Sequence, residues 1–386
     1  MPHPRLTRRA GYSRRAFLRL LGAGALAPLQ PPAVRYLTEP ADRCYFTYPH
    51  QNGFYDGGRR VVLGQLEQQA VSLWSYDLRQ GRREWLARLP LSLRFSMVYY
   101  DISAAGVLAA MADNSVWLLD LRVDRAVLRR LYTPPPGQML HDLVSLHPDG
   151  HSVIAVFYPL AGPTTGPTSV VRVRLSDGAA ETLFSKEWFV NHLQHCHADP
   201  TTIGCCHEGA FDVPDRLWAF NPRWPQPTRQ LWDQRSQLGT IMAVGHERWY
   251  FRAQAALVVA YPQSKSAPRG LYKVDVTGGA TLIHESDRFW HCNLSRDDRW
   301  AVVDTFPGLH GVAGESQVVL VDMAGEVAPR ALATARAARH PAHPHPHFTP
   351  ASDAVIFNDA GTGGWPRVGL VETGLRSLTY LPLVAG

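Results

Sequence analysis

Val116-Trp117-Leu118-Leu119-Asp120 is a short apolar strand closed by an acid, and versions of it recur along the whole chain. Leu73-Trp74-Ser75-Tyr76-Asp77, Leu217-Trp218-Ala219-Phe220-Asn221, Leu271-Tyr272-Lys273-Val274-Asp275 and Val318-Val319-Leu320-Val321-Asp322 follow the same pattern. Two weaker copies, Val170-Val171-Arg172-Val173-Arg174 and Val368-Gly369-Leu370-Val371-Glu372, bring the number to seven. Their spacing of about 43 to 54 residues is the period of a four-stranded propeller blade. A turn that opens an apolar strand accompanies several copies, as in His147-Pro148-Asp149-Gly150, Ser295-Arg296-Asp297-Asp298 and Thr349-Pro350-Ala351-Ser352. Amphipathic helical patterns are scarce between the repeats. The reading is therefore an all-β, seven-bladed β-propeller from roughly residue 37 to the end, with an eight-bladed closure or a sandwich as alternatives.

A propeller rings one strand of each blade around a central channel, so residues far apart in sequence converge at one mouth. Histidines stand at the start of successive blades: His141 before blade three, Asn191-His192-Leu193-Gln194 before blade four, Gly245-His246-Glu247 before blade five and Trp290-His291-Cys292 before blade six. Before blade seven comes the tract His340-Pro341-Ala342-His343-Pro344-His345-Pro346-His347. Proline excludes a helix there, and in an extended run alternate side chains share a face, so His343 and His345 are candidate ligands for one ion, with His347 on the same face. A His-rich tail that binds metal loosely is the alternative reading. Against it, Phe348-Thr349-Pro350 leads straight into the apolar run Ala354-Val355-Ile356-Phe357, which embeds the tract in folded structure.

With 386 residues, 45% hydrophobic and 19% charged, the chain has the material for a large buried core. The formal charge of +6 is concentrated in the first thirty-three residues, which hold six arginines and no acid. Without them the body is near neutral, which argues against a nucleic-acid partner. Ser13-Arg14-Arg15-Ala16-Phe17-Leu18-Arg19, followed by the apolar run Leu20 to Ala27, looks like a twin-arginine export signal over residues 1–33. Its apolar part is too short to span a bilayer, so the expectation is a periplasmic or exported protein handled by the twin-arginine machinery, without stable membrane insertion. The five cysteines show no CxxC spacing and allow at most two disulfides; Cys205 and Cys206 read as core.

Taken in order, Asn191-His192-Leu193-Gln194, His207-Glu208-Gly209, Asp215-Arg216-Leu217-Trp218, Gly245-His246-Glu247-Arg248-Trp249, His291 before Ser295-Arg296-Asp297, and His343-Pro344-His345-Pro346-His347-Phe348 resemble the oligogalacturonate lyase family. The resemblance covers most of the chain after the signal. It implies a seven-bladed propeller that binds a divalent ion, usually manganese, and cleaves a uronate-containing oligosaccharide by β-elimination. By the same resemblance His291, His343 and His345 are metal ligands, and His340 falls where the family has a glutamine. An imidazole in that place shifts the expected preference from manganese towards zinc, iron, cobalt or nickel. His347 falls on a serine-like family position and ranks below His340. The resemblance makes His246 the base and Arg216 the group that neutralises the substrate carboxylate. His192, Gln194, His207 and Glu208 are candidate substrate contacts.

Those residue types suit the chemistry, since loss of the C5 proton of a uronate requires the charge developing on its carboxylate to be neutralised. Each residue also has a plainer reading: Arg216 as a structural partner of Asp215 or Glu208, His246 as a core histidine. Trp290, Trp249, Trp365 and Tyr250 are candidate stacking faces for sugar rings, or core. The alternative function is a non-catalytic propeller that binds metal or carbohydrate.

Overall fold

The computed structural model describes residues 32–91, 97–123, 127–210, 212–235, 239–307, 314–361 and 363–375. The export-signal residues 5–27 lie outside them. The described residues form seven antiparallel sheets and two short 3-10 turns, with no α-helix, and no helix is long and apolar enough to cross a membrane. The seven sheets are the seven predicted blades.

Each of the seven repeated strands is the third of its blade, from Ala70–Asp77 in blade one to Arg367–Glu372 in blade seven. The closing acid or amide has a local cause. Asp77, Asp120, Asn221 and Asp322 each accept a hydrogen bond from the backbone N–H two residues on, at 2.9, 3.0, 2.9 and 3.1 Å. A short side-chain carbonyl there substitutes for the ladder as the chain turns out of the sheet. The second strands are largely buried, wholly so in the apolar Ala255–Ala260, because a blade in the ring packs on both faces. Seven hydrophobic clusters follow, one between each neighbouring pair of blades, such as Ala109, Leu118, Val153 and Val171 between blades two and three.

The ring closes through the chain's two ends. Arg35–Tyr36 supplies the outer strand of blade seven, with Arg35 opposite Leu370 and Tyr36 opposite Gly369. That strand precedes the start expected near residue 37. All five cysteines are buried and free, and Cys205 packs in the core between blades three and four.

The innermost strands of blades four, five and six are Val190–His195, Val244–Trp249 and Phe289–Leu294. Each pairs with its neighbour across a bulge, between Asn191 and Gln194, Gly245 and Arg248, and Phe289 and Cys292. Bulges re-aim side chains that alternation would place elsewhere. His192 and His246 sit in two of them with φ of 51° and 52°, a left-handed backbone that histidine adopts only where its surroundings hold it.

Candidate metal centre and adjoining cavity

His291, His343 and His345 are buried and bring one ring nitrogen each within 4.8 Å of the others. Their supply comes from two elements: the bulge of blade six for His291, and the His-Pro tract between blades six and seven for the other two. Asp304, fully buried on the second strand of blade six, holds the group together. It accepts the His291 Nδ1–H at 2.8 Å and the backbone N–H of His291 and His345 at 2.7 and 3.2 Å. This carboxylate fixes the tautomer of His291 and leaves Nε2 as its ligand atom. Burial pushes the Asp304 carboxyl up to about 8, against the downward pull of those backbone N–H groups.

The remaining nitrogens test whether a cation fits. His343 Nδ1 and both ring nitrogens of His345 are buried without hydrogen-bond partners. Orphaned imidazole nitrogens in a protein interior are costly, and three histidines converging at ligand distance with a carboxylate behind one of them suit a first-row divalent ion. Burial, then the neighbouring imidazoles, holds His343 at about 2, so its ring is neutral and able to ligate. His340 stands beside this group at the solvent-exposed rim, its ring centroid 4.0 Å from that of His343 and its Nδ1 2.9 Å from the Tyr99 hydroxyl. Three buried imidazoles converge at ligand distance, with the His340 ring beside them at the rim.

His246 lies against the group, its ring centroid 4.0 Å from that of His291. Its Nδ1–H donates to the Trp290 carbonyl at 2.7 Å, which leaves the lone pair on Nε2. Burial, then His192, lowers its pKa to about 3, so the ring is neutral at ordinary pH. His246 is half-buried and borders a cavity of about 340 Å³ with His192, Glu208, Arg216, Tyr261 and Trp290. A Cβ at Gly245 would lie 2.1 Å from the Tyr261 hydroxyl and 2.9 Å from Arg216 Nε, so only glycine lets these groups approach the bulge.

Arg216 is buried in an ion-pair network. Its Nη1 and Nη2 donate to the two oxygens of Glu208, each at 3.2 Å, and its Nε to Glu247 at 3.4 Å. Glu247 also takes His192 Nδ1 at 3.0 Å. Burial raises the carboxyl of Glu208, but Arg216 outweighs it and holds the group below the usual carboxylate range; the His192 hydrogen bond, aided by Arg216, likewise brings Glu247 to about 2. Three of the five guanidinium N–H groups are thereby engaged, and the charge of Arg216 is already met by two carboxylates.

Other expected contacts sit elsewhere. Gln194 would share a face with His192 by alternation, but the bulge intervenes. Its amide donates to the Glu247 carbonyl at 2.7 Å and it lines the channel near the opposite mouth. His207 is not among the residues lining the His246 cavity: its ring stacks on Trp188 at 4.4 Å and pairs with Asp215 at 2.9 Å. His347 is turned away from the metal group as well, because His345, at φ 44°, breaks the extended period of the tract; it faces Phe46 instead. Of the four aromatic candidates, Trp290 lines the cavity, Trp249 and Tyr250 are core, and Trp365 lies exposed under Arg43. Asp304 and Tyr99 carried no signal in the sequence, while Glu247 was visible only as part of its Gly-His-Glu motif.

No family model and no curated protein sequence matches the chain. Among solved structures, an oligogalacturonate lyase in complex with manganese is 20% identical with a TM-score of 0.73, covering 89% of this chain and 94% of its own. An oligogalacturonate lyase from Vibrio parahaemolyticus is 18% identical at TM-score 0.73, covering 90% and 94%. A puromycin-hydrolyzing peptidase of Mycobacterium tuberculosis follows at 16% identity and TM-score 0.58, covering 92% of this chain but 58% of its own. The chain is thus similar in fold, over nearly its whole described length, to two oligogalacturonate lyases.

Proposed function

We propose that this protein is a metal-dependent lyase that cleaves oligogalacturonate, the uronate oligosaccharide of pectin, by β-elimination. One observation carries the reading: a neutral histidine, His246, borders a sugar-sized cavity with its ring 4.0 Å from that of His291, one of the three converging imidazoles. The fold shared with two oligogalacturonate lyases supports it. A divalent ion held by His291, His343, His345 and His340 would supply Lewis-acid neutralisation of the uronate carboxylate. Manganese is the ion suggested by the family resemblance, with zinc, iron, cobalt and nickel open because His340 replaces a glutamine.

His246 Nε2 takes the C5 proton, and a C4–C5 double bond forms as the C4–O bond breaks. The leaving sugar oxygen departs with that bonding pair and gains a proton from solvent, to which His246 later releases its own. Arg216 retains two N–H groups for the substrate carboxylate, so its part is to orient that group by hydrogen bonds; Glu208 and Glu247 hold the guanidinium in place. His192 and Glu208, which line the cavity, are the proposed substrate contacts, with Trp290 as a stacking face. Gln194 and His207 support the fold around them.

The test is the ultraviolet absorbance of the unsaturated product when metal-loaded protein meets oligogalacturonate. His246→Ala is expected to keep its ion and lose turnover by at least about a hundredfold. Bound metal with no absorbance from any uronate oligomer would assign the chain to the non-catalytic metal- or carbohydrate-binding class instead. We also propose export by the twin-arginine route to the periplasm, which suits a protein that folds around its ion first. Changing Arg14 and Arg15 to lysine should leave the protein in the cytoplasmic fraction; unchanged fractionation rejects the route.

A further inference from the structure

The inner strands run from the metal-side mouth to the opposite end of the channel, where residues from all seven blades line a second cavity of about 350 Å³. Its charge is one-sided. Arg248, Arg252 and Arg296 line it, against the single carboxylate of Asp101. Asp101 is already engaged, one oxygen accepting the Asn52 N–H and the other the Leu146 N–H, both at 2.8 Å. Asp298, the other acid acting on Arg248, accepts the N–H groups of Phe251 and Arg252 at 2.8 and 2.7 Å.

Arg248 is buried and forms no ion pair among the described residues. Its Nη1 donates to the His50 carbonyl at 2.9 Å, its Nη2 meets His197 Nε2 at 3.5 Å, and its Nε is buried with no partner. The guanidinium lies 4.8 Å from the Phe251 ring centre, and that of Arg296 lies 4.5 Å from the same ring. Two guanidinium groups therefore share one aromatic ring, and the buried one, Arg248, is a cation without a carboxylate partner, which is costly in an interior. His50 Nε2 and His347 Nε2, buried and without partners on the same lining, add two more polar groups. None of these residues belongs to the metal group or to the cavity of His246.

We propose that this recess is a second binding site of the molecule, one that takes a compact oxyanion, a carboxylate or phosphate on a ligand no larger than a monosaccharide, between Arg248 and Arg296. The volume sets the size, near the lower end of small-ligand pockets. Planar, multi-donor guanidinium groups set the chemistry, since they match the oxygens of carboxylates and phosphates. The site does not depend on the lyase reading.

The test is calorimetric titration of the metal-loaded full chain at constant ionic strength, with inorganic phosphate in one arm and monomeric galacturonate in the other. Saturable binding is expected in at least one arm, weakened at least about tenfold in Arg248→Gln and in Arg296→Gln, as for the loss of a charge-assisted hydrogen bond. It should persist in His343→Ala, which disrupts the other mouth. Binding of phosphate alone identifies a phosphorylated ligand, and of galacturonate alone a sugar acid. No saturable binding in either arm at millimolar ligand overturns the proposal, as does unchanged affinity in both arginine variants or loss of binding in His343→Ala. Should Arg248→Gln fail to fold by circular dichroism, Arg296→Gln, at a partly exposed position, decides alone.

Discussion

Arg216 and Arg248 are each 8% exposed, yet the two ends of the channel treat them oppositely. At the metal-side mouth Arg216 is bound by Glu208 and Glu247, and His192 joins the same network. At the far mouth Arg248 has a carbonyl, an imidazole and no carboxylate within ion-pair reach. Burial alone therefore says little about what an arginine does. A guanidinium whose charge is met by the protein can orient a ligand but adds no net attraction for it; one whose charge is unmet is a place where an anion lowers the energy. Histidines with partnerless nitrogens occur at both ends, but at the metal side His343 and His345 converge with the Asp304-anchored His291, whereas His50 and His347 at the far mouth stand outside that group.

The contrast can be broken most decisively at the metal group. Elemental analysis of His343→Ala and His345→Ala should show bound divalent ion falling from about one per chain to near none. Equal occupancy in the wild type and both variants would dissolve the metal-side half of the comparison. The two arginines come next. Arg216→Met strands two carboxylates in the interior and should cost about 3–5 kcal/mol in urea unfolding, whereas Arg248→Met removes an unpaired charge and should change stability by no more than about 1 kcal/mol. The reverse order of effects would show that the far mouth is balanced by groups other than those identified.

A smaller effect is expected from Asp304→Asn, which keeps the shape but weakens the anchoring of His291; metal affinity should fall about ten- to a hundredfold, read by competition with a chelator. The smallest is a pH dependence of the metal-free protein. Burial lowers the pKa of His195, His246 and His347 to about 3 each. Between there and the ordinary imidazole value of about 6.5 the unfolded chain binds more protons, so their contribution to stability is complete above that window and is lost as the pH falls through it. Asp304, raised to about 8, works the other way, since the folded chain then holds the extra proton. Thermal melting should show a net loss of stability from about pH 6 downwards; a melting temperature that rises on acidification would mean the carboxyl dominates the cluster.

The blades were legible because their causes are local. A strand such as Val318–Asp322 must be apolar to pack between two neighbours and must end on a group that accepts the next turn's N–H, and both needs are written in five residues. His291, His343, His345 and His246 were legible as chemistry, from residue type and resemblance, and the structure brings these four together. Gln194, His207 and His347 were grouped with them on alternation or motif order, which assumes an unbroken strand. The bulge at His192 and the left-handed backbone at His345 interrupt that period, and a bulge depends on how one strand is held by others.

The sequence by itself determined the seven-fold repeat, the stock of imidazoles and guanidiniums, and the order in which they enter the ring, because these are properties of composition and short-range pattern. Only the tertiary structure decided which of them meet. Asp304 reaches His291 from the adjacent strand, Glu208 and Glu247 close on Arg216 from two different blades, and Arg248, one residue after Glu247, emerges at the other end of the channel without a counter-charge. Pairing of charges is set by distances in space, and closing the ring sets those distances.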